Sequence, residues 1–137
     1  KITVVNRYEK APPAVAFIKN FGLQRGAIAS SVAHDSHNVI AVGVEDEALT
    51  EAVNAVIAHH GGIAVYDGEH TEVLPLPIGG LMSPDSAETV SQQYHQLNQV
   101  VKEIGSPLHA PFMTLSFMAL LVIPSLKFSD KGLFDGD

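Results

Sequence analysis

Five consecutive polar side chains, His34, Asp35, Ser36, His37 and Asn38, stand between two apolar runs, residues 26–32 and 39–44, that both read as buried strands. Two imidazoles, a carboxylate, a hydroxyl and a carboxamide at one strand-to-strand connection can donate and accept hydrogen bonds or move a proton near neutral pH. On helical backbone His34 and His37 would share a face; on extended backbone they alternate, leaving His34, Ser36 and Asn38 together. The flanking runs favour a hairpin loop. His34, Asp35 and His37 are then the candidate proton-handling groups, with Asp35 able to fix a histidine tautomer. The plainer alternative is that Asp35 and Asn38 make local turn hydrogen bonds while the imidazoles cap the sheet end. A self-contained metal centre is not expected, because it needs three or four convergent ligands and this segment offers two or three at poor spacing.

Other polar groups carry weaker signals. Ser30 and Ser31 lack the Gly-x-Ser-x-Gly setting of an activated nucleophile, and a hydroxyl on a strand is commonly structural. Gly79-Gly80 could cradle an anion ahead of a helix, but no phosphate-binding lysine follows, which favours a simple bend. His59, His60, His70, His95 and His109 are scattered and read as surface residues. Phe112, Met113, Phe117 and Met118 read as core.

These groups must be held by regular elements, and the pattern supplies them. Residues 2–5 are rich in β-branched side chains and read as a strand. Pro12-Pro13 ahead of Phe17, Ile18 and Phe21 predicts a short helix closed by Gly22. A second helix opens on Glu45-Asp46-Glu47, carries the stripe Leu49, Val53, Val56 and Ile57, and ends at Gly61-Gly62. Residues 63–66 and 72–76 form a hairpin about Asp67-Gly68. Ser83 as N-cap and Pro84 at the first turn begin a third helix, with Val90, Tyr94, Leu97, Val101 and Ile104 on one face and Gly105 at its end. Residues 111–120 fit either a helix or a strand. The expected architecture is α/β, a layered sandwich with a mixed sheet and about three helices in the order βαββαββα. Small residues at 27, 29, 30, 31 and 33 predict close packing against that sheet.

The chain has 137 residues, enough for one domain with its own core, and nothing marks a second. With 46% hydrophobic and 17% charged residues it is globular rather than disordered. A formal charge of -7 opposes approach to a phosphate backbone, so no nucleic-acid partner is expected. Zero cysteines rule out disulfides and thiolate metal sites and fit a cytoplasmic location. Lys1 leads straight into an apolar strand with neither a methionine nor a secretory leader, as in an internal fragment. The apolar stretch 112–123 falls short of the roughly 20 residues of a membrane span.

Three separated blocks carry a family resemblance. The run Arg25-Gly26-Ala27-Ile28-Ala29-Ser30-Ser31-Val32-Ala33-His34-Asp35-Ser36-His37-Asn38 resembles the signature of the adenine deaminase C-terminal domain. Leu74-Pro75-Leu76-Pro77-Ile78-Gly79-Gly80-Leu81-Met82-Ser83 is similar to that family's following loop, and residues 111–124 to its closing segment, with Leu121 in place of an expected proline. The resemblance implies one piece of an amidohydrolase-type enzyme that converts adenine to hypoxanthine and ammonia. Its metal pair, manganese or iron, would sit on a preceding (β/α)8 barrel, with no cofactor expected on these residues, whose sequence lacks the barrel's His-x-His pair. Adenine, that barrel and a second copy of the chain are the implied partners. His34, Asp35 and His37 would then be catalytic, and Ser30, Ser31 and Asn38 substrate-binding supports; the competing reading is a scaffold that packs on the barrel.

Overall fold

Large and small side chains alternate along the central strands, and that alternation decides which helix lies on which face. The computed structural model describes residues 1–136. Strands β1 (Ile2–Val5), β2 (Ala14–Ala16), β3 (Ala27–Ser30), β4 (Val39–Gly43), β5 (Gly62–Tyr66) and β6 (Thr71–Pro75) form one sheet in the order β2-β1-β4-β3-β5-β6. Ala27, Ala29, Val39, Ala41 and Ala64 point to one side and meet Ala48, Leu49, Ala52, Val53 and Val56 of α1 (Asp46–Ala58). The residues between them, Ile28, Ile40, Val42, Ile63 and Val65, point to the other side. There they pack on Leu97 and Val101 of α2 (Ala87–Glu103) and Phe112 and Leu115 of α3 (Pro111–Met118). Each large side chain buried in this layer contributes roughly 1.5–3 kcal/mol. The alanine face admits α1 so closely that a β-carbon on Gly43 would stand 2.7 Å from that of Ala27 and 2.9 Å from Leu49 Cγ. A hairpin of β7 (Leu126–Ser129) and β8 (Gly132–Asp135) follows, with Phe128 in the larger core.

The molecule is the expected α/β sandwich with three helices, and three details differ. Every pairing in the six-stranded sheet is antiparallel rather than mixed. β4 and β5, joined by α1, do run parallel to one another, but β3 lies between them and pairs antiparallel with both. The short helix expected after Pro12-Pro13 is instead the edge strand β2, which pairs Ala14 with Val4 and Ala16 with Ile2. β1 would otherwise present an open edge, whereas a helix over so few residues would gain little, with Phe17 86% exposed. The third predicted helix starts later: Ser83 Oγ accepts from the Asp85 N–H in a local turn, and Ser86 caps α2 through the Thr89 N–H at 3.2 Å. Residues 111–118, open to either reading, are helical. None of the described helices is long and apolar enough to cross a membrane.

The Asp67-Gly68 turn forms as expected. Asp67 Oδ1 accepts from the N–H groups of Glu69 and His70, both at 2.7 Å, and these bonds hold its carboxyl below the ordinary carboxylate value. Replacing Asp67 with Ala is expected to destabilise the domain by about 1 kcal/mol at neutral pH in denaturant titrations. The bonds favour the ionised folded form, so the difference persists above the usual carboxylate range and fades as acid protonates the folded side chain.

Candidate functional site

The connection from β3 to β4 is built from a tight internal turn and external bracing. The His37 N–H donates to the Ala33 carbonyl at 2.7 Å, and His37 takes left-handed backbone at φ 54°, closing one turn around residues 34–36. The Ala33 N–H in turn reaches His37 Nδ1 at 3.3 Å. That bond requires an unprotonated Nδ1, so the neutral ring carries its proton on Nε2. Burial, the neighbouring His34 and the Arg7 guanidinium together push the His37 pKa down, against the opposing pull of Asp35 and of a backbone bond to Ser31. The His34 and His37 rings meet edge-on with centroids 5.5 Å apart, and His34 also lies 5.8 Å from the Phe117 ring at the end of α3. Asp35 and Ser36 are exposed.

Segments remote in sequence brace this turn. Arg7, just past β1, donates from Nη1 to the His37 carbonyl at 3.3 Å and from Nη2 to the Gly79 carbonyl at 2.7 Å. Its backbone N–H donates to Asn38 Oδ1 at 3.2 Å, and the Tyr8 hydroxyl donates to the Ser36 carbonyl at 2.7 Å. Ser116 of α3 donates to the Val32 carbonyl. The three blocks of the family resemblance thus meet at one end of the sheet. Sequence reading did not single out Arg7 and Tyr8; their role depends on β1 lying beside β4, a pairing that no local pattern announces.

The expected site residues separate into two groups. His34, Asp35 and His37 lie together on the turn, and neither His34 nor Asp35 has a side-chain hydrogen bond to another described residue. Ser30, Ser31 and Asn38 are buried inside the domain. Ser30 Oγ accepts from the Val32 N–H at 3.0 Å. Ser31 Oγ donates to the Gly80 carbonyl at 2.6 Å and accepts from the Gly62 N–H at 2.8 Å. Ser31 thus joins the loop to its neighbours, while Ser30 bonds within its own segment. Asn38 is bonded to Arg7 rather than to its own turn, unlike the local-turn alternative.

A cavity of about 380 Å³ lies next to this brace, lined by Asn6, Arg7, Ser31, Val56 and His60 among others, and His34, Asp35 and His37 are not in its wall. Among the described residues no group of three His, Cys, Asp or Glu side chains is placed to hold a metal ion. The described residues therefore do not fit a metal pair.

The family model for the adenine deaminase C-terminal domain matches residues 1–137. The chain belongs to that family. As a member of the adenine deaminase C-terminal domain family it is 61% identical over 137 residues to an adenine deaminase of Sulfurovum sp. (strain NBC37-1), covering 99% of the chain and 26% of that protein. It is 60% identical over 138 residues to an adenine deaminase of Salinibacter ruber, covering 99% and 25%, and 52% identical over 139 residues to one of Borreliella burgdorferi, covering 100% and 25%. The chain spans about a quarter of the length of these curated relatives.

Ser31→Ala leaves the Gly80 carbonyl and the Gly62 N–H buried without that partner and is expected to cost about 2 kcal/mol in chemical denaturation. By NMR titration, His37 is expected to protonate below the ordinary histidine value of 6.5. Its folded form prefers the neutral ring, so its contribution to stability is present above the ordinary value and is lost as pH falls toward its own lower pKa.

Proposed function

We propose that this domain is the C-terminal part of an adenine deaminase whose active site lies mainly on a preceding barrel, with the 34–38 loop at its mouth. The reaction is hydrolytic deamination of adenine to hypoxanthine and ammonia, in keeping with relatives that are named adenine deaminase. The observation that carries this reading is a pair of adjacent imidazoles, His34 and His37, on a turn whose backbone is braced from three directions.

Water adds to the purine carbon that bears the amino group, and the departing nitrogen needs a proton. A manganese or iron pair is assigned to the barrel. On this domain, the His37 imidazole is suited to exchange a hydrogen bond with a purine nitrogen. His34, whose ring nitrogens have no described partner, is suited to shuttle a proton, and the exposed Asp35 to orient it. Ser30, Ser31 and Asn38 support the backbone that presents these groups. The same reading makes the full-length protein a cytoplasmic homo-oligomer.

A second role has its own observation. Val15, Phe17, Leu126 and Leu133 expose apolar surface around β2 and the terminal hairpin, with Phe17 86% and Leu133 64% exposed. That rim suits a scaffold that packs on other parts of the assembly. Both roles can operate in one protein, and the loop decides whether the domain is also part of the chemistry.

Single alanine replacements at His34, Asp35 and His37 in the full-length protein test the reading. The histidine variants are expected to lose about 100-fold or more in kcat/KM for adenine while circular dichroism reports an intact fold. Unchanged kcat/KM in all three folded variants would leave only the scaffold.

A further inference from the structure

We propose that Arg7 is the positioning residue of the 34–38 loop, fixing the imidazoles for turnover without touching the purine; this inference rests on the function proposed above. Its guanidinium lies between two loops and donates to a carbonyl in each, His37 at 3.3 Å and Gly79 at 2.7 Å. Its backbone N–H holds Asn38, and its Cζ lies 5.4 Å from the ring centroid of Tyr8, whose hydroxyl holds Ser36. One short segment after β1 thus fixes residues 36, 37 and 38 in succession.

The glycine loop is shaped around this side chain. A β-carbon on Gly80 would stand 2.0 Å from Arg7 Nη1 and 2.7 Å from Cζ. Gly61 also approaches this loop closely, since a β-carbon there would stand 2.3 Å from Gly80 Cα. A planar fork of fixed donors can bridge two carbonyls, whereas the single ammonium of lysine holds a looser geometry.

The experiment uses the full-length protein with Arg7→Ala, Arg7→Lys and Gly80→Ala, the last disturbing the guanidinium while keeping its charge. Hydrogen exchange by mass spectrometry is expected to quicken in the peptide containing the His37 amide and to stay unchanged in β3, β4 and β5. In the same samples kcat for adenine is expected to fall about 100-fold in Arg7→Ala, with KM changed less than about threefold, because a displacement of about 1 Å has a cost of that order. Arg7→Lys should recover part of kcat, and Gly80→Ala should resemble Arg7→Ala. Unchanged loop exchange in both Arg7 variants would overturn the inference. Faster exchange with unchanged kcat would overturn it too. In that case, loss of activity in the His34 and His37 alanine variants would preserve the loop's role in the reaction, and their retention of activity would remove that role as well.

Discussion

The antiparallel sheet depends on its two-residue alternation. Alanines at 27, 29, 41 and 64 let α1 lie close to one face, while the intervening Ile and Val side chains fill the space under α2 and α3. A slip of one residue between β3 and β4 would turn the large side chains toward α1, where no room exists. This register also fixes where residues 31–38 leave the sheet, beside the end of β1 and against the last turn of α3. The position of the loop is therefore set by the core.

At that end of the sheet the polar groups divide by burial. The buried hydroxyls and amide bond to backbone: Ser31 ties the loop to Gly62 and Gly80, Asn38 ties it to Arg7, and Ser30 closes its own segment on Val32. Such groups are costly to leave unpaired, and here they convert burial into a fixed loop geometry. The titratable groups His34, Asp35 and His37 are left at the rim, with His37 held toward its neutral form. That contrast between braced backbone and available side chains underlies the proposed part in purine chemistry.

Much of this was legible in the sequence where one local signal dominated. Leu49, Val53 and Val56 of the α1 stripe, the Asp67-Gly68 turn and the small-residue face followed from periodicity and turn chemistry, whereas Ile57, expected in that stripe, is 51% exposed and the small Ala48 and Ala52 complete the buried face. Residues 14–16 became a strand because β1 needed a partner, a demand set elsewhere in the chain. Ser83 lost the cap of α2 to Ser86 because Ser83-Pro84-Asp85 closes its own turn. The grouping of His34, Asp35 and His37 was visible as a cluster, while Arg7 and Tyr8 were not. Their function depends on the β1–β4 pairing and on a glycine loop 72 residues further on from Arg7.

Whether the loop meets the purine is answered by a crystal structure of the full-length protein with hypoxanthine bound. A His34, Asp35 or His37 side-chain atom within about 3 Å of a purine nitrogen or oxygen is the expected result. A bound purine with all three side chains facing away, and no single water linking any of them to it, would contradict the proposed role.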